Sequence, residues 1–108
     1  MTRYGVVQLT EGNIRNDHLY LASVIELFPK DSVGGNNRAD AAARTIELHT
    51  GVTDPVITDI AGDKKIFRKR AWVHEFISAH ELKAGDRVAI EKTGAYRFHV
   101  YPQRNDVF

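Results

Sequence analysis

The sequence predicts a mainly β fold, seven short strands with two short helices inserted, arranged as a barrel or a sandwich. Three observations lead there: apolar and polar residues alternate with period two, turn residues recur every few positions, and strands and helices do not alternate as βαβ units. The alternation is clearest in Arg44-Thr45-Ile46-Glu47-Leu48-His49 and in Arg87-Val88-Ala89-Ile90-Glu91-Lys92. Ile46 and Leu48, like Val88 and Ile90, then share one face of a half-buried strand.

In chain order, Tyr4–Leu9 reads as the first strand, closed by the turn Glu11-Gly12-Asn13, and Leu19–Leu21 as the second. Ala22–Phe28 reads as a short helix stopped before Pro29, because the residue preceding a proline is disfavoured in helical conformation. Gly34-Gly35-Asn36-Asn37 reads as a flexible surface connection, and the alanine-rich stretch from Asn36 to Arg44 carries no assigned element. Strands follow at Thr45–His49, Val56–Ile60 and Ile66–Lys69, separated by Thr50-Gly51 and Ala61-Gly62-Asp63. Ala71–Leu82 places Trp72, Phe76 and Ala79 at helical spacing, an amphipathic helix whose Trp72 and Phe76 enter the core with Leu82. Ala84-Gly85-Asp86 turns into the strand Val88–Glu91, and Thr93-Gly94 into Tyr96–Tyr101. One domain is expected over residues 1–104, with 105–108 a loose tail.

The composition fits that size. A chain of 108 residues, 43% hydrophobic and 27% charged, suits one soluble globular core. The absence of cysteine excludes disulfides, thiolate metal sites and a cysteine nucleophile. No secretory signal or apolar run of roughly 18 residues is present, so a cytoplasmic protein without membrane association is expected. The formal net charge of +1 hides a polarity: Lys64, Lys65, Arg68, Lys69 and Arg70 are five of the fifteen basic residues, and the rest of the chain carries a formal −4. A focused positive element attracts polyanions whatever the net charge. It also suits a solvated edge strand guarded against aggregation.

Catalytic patterns do not assemble. His74-Glu75 followed by His80 lacks the i, i+4 spacing that puts two histidines on one helix face for zinc. No glycine-rich loop ends in Lys-Ser or Lys-Thr, and no serine sits in a Gly-x-Ser-x-Gly elbow. Glu91 and Lys92 are adjacent and point to opposite faces of a strand. The chain alone is therefore expected to hold no catalytic residues, metal or cofactor. RNA is disfavoured as a partner, since no exposed aromatic platform is read from the sequence.

One constellation is informative. The run Asp59-Ile-Ala-Gly-Asp-Lys-Lys-Ile-Phe-Arg-Lys-Arg-Ala-Trp72 is a turn, a basic strand and a tryptophan opening a helix. Trp72-Val-His-Glu-Phe76 then leads into Leu82-Lys-Ala-Gly-Asp-Arg-Val88. This order resembles the plant B-three DNA-binding domain, with its basic arm strand, Trp-x-x-x-Phe helix and Leu-x-x-Gly-Asp-x-Val turn. Gly12-Asn-Ile-Arg-Asn-Asp-His-Leu-Tyr-Leu21, followed by Phe28-Pro-Lys-Asp-Ser-Val-Gly-Gly35, looks like the bacterial branch of that fold, found as the DNA-recognition or effector domain of certain type II restriction endonucleases. The resemblance spans nearly the whole chain.

It implies a seven-stranded open β-barrel, a DNA-binding pseudobarrel whose two arms grip the major groove of double-stranded DNA. The first arm would be Asn13, Arg15, Asn16, Asp17 and His18, the second Lys64, Lys65, Arg68, Lys69 and Arg70. Arg38 and Arg44 would add phosphate contacts. Arginine can bond guanine bidentately, asparagine the adenine edge and aspartate cytosine N4, while lysines neutralise phosphate. Arg68 or Arg70 is the expected base reader, although either face of the 64–70 strand could meet DNA. Asn16 and Asp17 equally suit a loop cap. A monomer is expected, with any nuclease activity on another domain or a partner chain. The other open reading is a protein-interaction barrel with a basic edge.

Overall fold

The computed structural model describes residues 3–35 and 38–103. Its strands in chain order are β1 (Arg3–Gln8), β2 (Val33–Gly34), β3 (Ile46–His49), β4 (Val56–Thr58), β5 (Ile60–Ala61), β6 (Ile66–Phe67), β7 (Arg87–Gly94) and β8 (Arg97–Gln103). Two α-helices, α1 (Glu11–Asn16) and α2 (Ala71–Ala79), and three short 3-10 segments at 22–27, 30–32 and 38–40 complete the described elements. The fold is mainly β, as the alternation indicates. Among the described residues it has eight strands rather than seven, in a five-stranded sheet ordered β1-β7-β8-β3-β4 and a three-stranded sheet ordered β2-β5-β6. Among the described residues these sheets do not join into a closed barrel.

The large sheet follows the sequence pattern closely. β7 pairs antiparallel with β1 and β8, while β3 runs parallel to β8 with Leu48 opposite Phe98. Ile46, Leu48, Val88, Ile90, Phe98 and Val100 point inward and are essentially fully buried. Beneath them Phe28 lies 4.7 Å from Phe98 and 5.8 Å, edge-on, from Phe67, which in turn meets Trp72 at 5.7 Å. Trp72, Val73, Phe76 and Ile77 bring the buried face of α2 to this cluster. Each such side chain contributes about 1.5–3 kcal/mol by leaving water.

Several boundaries differ from expectation, each for a local reason. Helix α2 stops at Ala79 rather than Leu82, because Glu81 takes a left-handed conformation (φ 52°) and a double bond closes the end. There Leu82 N donates to Ile77 O at 3.0 Å and Glu81 N to Ser78 O at 3.2 Å, the Schellman arrangement with glutamate in the glycine position. The segment 22–28 is a 3-10 turn ending at Leu27, with Phe28 extended before the proline. Leu19–Leu21 alternates as a strand would, two buried leucines around an exposed Tyr20, yet joins no ladder.

The expected strand Val56–Ile60 splits at Asp59, where the chain leaves the large sheet as β4 and enters the small one as β5. The expected strand Ile66–Lys69 shortens to β6, and both of its residues are buried, so simple face alternation fails there. Gly34 and Gly35 are packed tightly, correcting the flexible-connection reading for these two positions. A Cβ at Gly34 would overlap Asp40 O and lie 2.5 Å from Ala42 N, so only glycine lets the 40–42 backbone approach β2. Asn36, Asn37 and the tail 105–108 lie outside the described residues.

Candidate nucleic-acid interface

The first arm is helical as far as Asn16, with Asp17 and His18 beyond the helix end. Thr10 caps α1 through a reciprocal pair: Asn13 N donates to Thr10 Oγ1 at 3.1 Å and Thr10 N donates to Asn13 Oδ1 at 2.9 Å. This capping box satisfies two donors that a helix start leaves orphaned. The turn expected at Glu11-Gly12-Asn13 is thus the first turn of α1. Asn13 is buried with its carboxamide oxygen committed to the cap, so it is a structural residue rather than an exposed reader. Asp17 ends the helix in a left-handed conformation (φ 53°), and its carboxylate lies 3.4 Å from His74 Nδ1. Arg15 and Asn16 are exposed.

The second arm is the hairpin of β5 and β6. Residues 62–65 form its turn, with Lys65 left-handed (φ 55°), and Lys64 stands exposed. Ile60 pairs with Phe67, which sets Asp59 opposite Arg68. There Arg68 N donates to Asp59 O at 2.9 Å and Arg68 Nε to Asp59 Oδ1 at 2.8 Å, while a terminal guanidinium nitrogen donates to Gly35 O at 3.0 Å. Asp59 Oδ2 accepts from Ala42 N at 2.8 Å. Arg68 and Asp59 thus tie the end of β2, the 40–42 segment and the sheet crossover together, and Arg70, the other expected base reader, is exposed. Burial alone would push the Asp59 carboxyl up, but the bonds from Arg68 and Ala42 outweigh it and hold its pKa below the ordinary value. Beyond Arg68, Lys69 and Arg70 are exposed; Lys69 O accepts from Trp72 Nε1 at 2.8 Å, fixing the backbone that carries both.

The arms meet. Leu21 N donates to Lys65 O at 2.7 Å, and next to this link Asn16 and His18 of the first arm, Tyr20 just beyond it, and Lys64, Ile66 and Arg70 of the second-arm hairpin line one concavity of about 440 Å³. His18 is buried at its wall, its ring 4.6 Å from that of Tyr20. Burial, then the charges of Arg70 and Lys64, lower the His18 pKa against a smaller opposing effect of Asp17, so the ring is neutral near pH 7. Of the expected site residues, Asn16, His18, Lys64 and Arg70 therefore converge, while Arg15, Asp17, Lys65 and Lys69 are not in the lining. Arg44 stacks 4.3 Å above the Tyr96 ring, and the side chain of Arg38 lies outside the described residues.

Tyr20 and Ile66 were not expected in the site. Tyr20 is 53% exposed, an aromatic surface that the sequence reading lacked; the Leu-Tyr-Leu alternation is the signal for it. Among the described residues no group of three or more His, Asp or Glu is placed to hold a metal ion, and no helix is long and apolar enough to cross a membrane. No family model and no curated protein matches the chain.

Proposed function

We propose that this protein binds double-stranded DNA sequence-specifically through its two arms in the major groove. In this reading it is a pseudobarrel of the B-three kind, serving as a non-catalytic recognition or effector module of a restriction endonuclease or similar DNA-acting protein. The supporting observation is the convergence of Asn16, His18, Lys64 and Arg70, two arms far apart in sequence, around one concavity. Their chemistry suits the task. Arg70 offers a planar fork that suits guanine or a phosphate, Asn16 an amide for adenine, and Lys64 a phosphate partner. The small sheet holds the second arm to the fold through the Asp59–Arg68 pair, so its cationic tip is presented on a fixed base. Cleavage, where it occurs, belongs to another domain or chain, and the module acts as a monomer.

The test is a binding selection on randomised duplex DNA at about 0.15 M salt, a physiological ionic strength, followed by sequencing. An enriched motif of a few base pairs is the expected result. Retention without enrichment would reduce the protein to a phosphate binder, and no retention even at low salt would overturn the reading. A protein-interaction module with a basic edge is the second reading. It is favoured by exposed Ile57, which lines a shallow concavity with Pro55, Trp72 and the cations Lys69 and Arg70.

A further inference from the structure

His18 is the one buried imidazole of the two arms, and it stands at the wall of their shared concavity. Its residue exposure is 9%, and neither Nδ1 nor Nε2 has a hydrogen-bond partner. Buried polar groups are almost always paired, so two buried, unpaired ring nitrogens in a residue that lines a concavity call for a partner that arrives from outside. The surroundings define its charge. Arg70 and Lys64 line the same concavity as cations whose charges reach the ring, Tyr20 lies against it at 4.6 Å, and Asn16 and Ile66 complete the lining. The nearby acid, Asp17, is shared with His74 at 3.4 Å. Two cations around a desolvated imidazole form a site for an anion, and within a DNA-binding face the abundant anion is the backbone phosphate.

We propose that the concavity is a phosphate subsite of the DNA interface, in which a backbone phosphate seats between Lys64 and Arg70 while His18 takes up a proton from solvent and donates it in a charge-assisted hydrogen bond. The inference rests on the DNA-binding reading and adds to it a residue and a proton. Without ligand, burial and the two cations keep the ring neutral. A seated phosphodiester places its one negative charge at hydrogen-bond range of the ring and offsets part of the repulsion from the two cations, which favours the imidazolium. Binding and protonation are then linked, and the affinity for duplex rises as pH falls.

The experiment uses the intact protein and the duplex recovered by the selection. Affinity is measured between about pH 5 and pH 8 at about 50 mM salt, and the His18 ring is followed by NMR with and without DNA. The expected result is an affinity that rises by up to about tenfold per unit fall in pH, with uptake of about one proton per complex. His18 should titrate below the ordinary histidine range when free and above it when bound. His18→Gln should still bind but lose most of the pH slope, whereas His99→Gln should keep it. Should His18→Gln fail to fold, Arg70→Ala provides the second variant, and its free His18 should titrate closer to the ordinary value. In a set of duplexes each carrying one neutral methylphosphonate, one position should abolish proton uptake and the others leave it.

Tight duplex binding with an unmoved His18 titration would overturn the inference and leave DNA binding intact. Proton uptake that is uniform across the methylphosphonate set would likewise overturn the subsite. A His18 shift produced by inorganic phosphate but not by duplex would assign the site to a free anion and overturn its place in a DNA interface. Failure of the selection to retain any duplex would overturn the DNA reading and this inference together.

Discussion

Replacing Asp59 by asparagine is the sharpest test of how the second arm is held. The carboxylate accepts Arg68 Nε and Ala42 N, both at 2.8 Å, with side-chain exposures of 8% for Asp59 and 20% for Arg68. Asparagine keeps the shape but offers one acceptor where two are needed, and it removes the charge facing the guanidinium. Hydrogen bonds to charged groups contribute about 1.5–3 kcal/mol each, and breaking one side of a buried pair costs about 3–5 kcal/mol. Because Arg68 retains its bond to Gly35 O and some solvent contact, we expect a loss of about 2–3 kcal/mol, or about 10–20 °C in Tm for a chain of this size. The pH dependence carries its own sign. A carboxyl whose folded pKa is depressed stabilises fully above its unfolded value and loses that contribution as pH falls through the folded value. The gap between wild type and Asp59→Asn should therefore be widest near neutrality and close in acid. Thermal melts monitored by circular dichroism from neutral to acidic pH decide it. A variant melting within about 2 °C of wild type at neutral pH would refute the reasoning.

Other outcomes follow from the same structure. Gly34→Ala drives a methyl group into the 40–42 backbone and should cost about 2–3 kcal/mol by thermal or urea unfolding. Thr10→Ala removes the cap of α1 and should cost about 1 kcal/mol in the same assays. Lys64→Ala with Arg70→Ala should leave Tm within about 2 °C, because both side chains are exposed. It should also lower the slope of log affinity against log salt by about 2 in duplex titrations. Arg68→Ala should do the reverse and lower Tm before it alters the salt slope.

Much of the large sheet was legible because Ile46, Leu48, Val88, Ile90, Phe98 and Val100 each face one buried layer, and period-two alternation encodes that. Helix α2 was legible from Trp72 and Phe76, but its end was hidden by a left-handed glutamate where glycine is the usual signal. Helix α1 was masked because Glu-Gly-Asn reads as a turn, and its capping box uses Asn13 where Glu or Gln would announce it. The small sheet was illegible for a different reason. Two-residue strands carry no period, and the close approach at Gly34 and the Asp59–Arg68 pair that accompany their ladder lie outside any local pattern.

At the candidate site, charge clustering singled out the 64–70 segment but could not separate a paired arginine from an exposed one, and the 13–18 segment came only from the family resemblance. Arg68 and Arg70 have the same chemistry and differ only in what stands opposite them. That distinction was latent in the hairpin, since a turn over 62–65 places Asp59 across from Arg68. The convergence of His18 with Lys64 and Arg70 depends on a tertiary contact, the Leu21–Lys65 link, which no local pattern announces.

The order of the large sheet bears on how the chain is made. β1 pairs along its whole length with β7, Arg3 against Lys92 through Gln8 against Arg87, and β3 finds its parallel neighbour only in β8. During synthesis both early strands emerge long before their partners, and their apolar faces must wait for residues 87–103 to leave the ribosome. Such distant pairings slow folding and leave strand edges open in the interval. A growing chain stopped short of β7 would thus carry the cationic arms in full yet lack the sheet that orients them. Under the DNA-binding reading proposed above, a firm grip on a polyanion should arrive late, and all at once, as the β7–β8 hairpin closes.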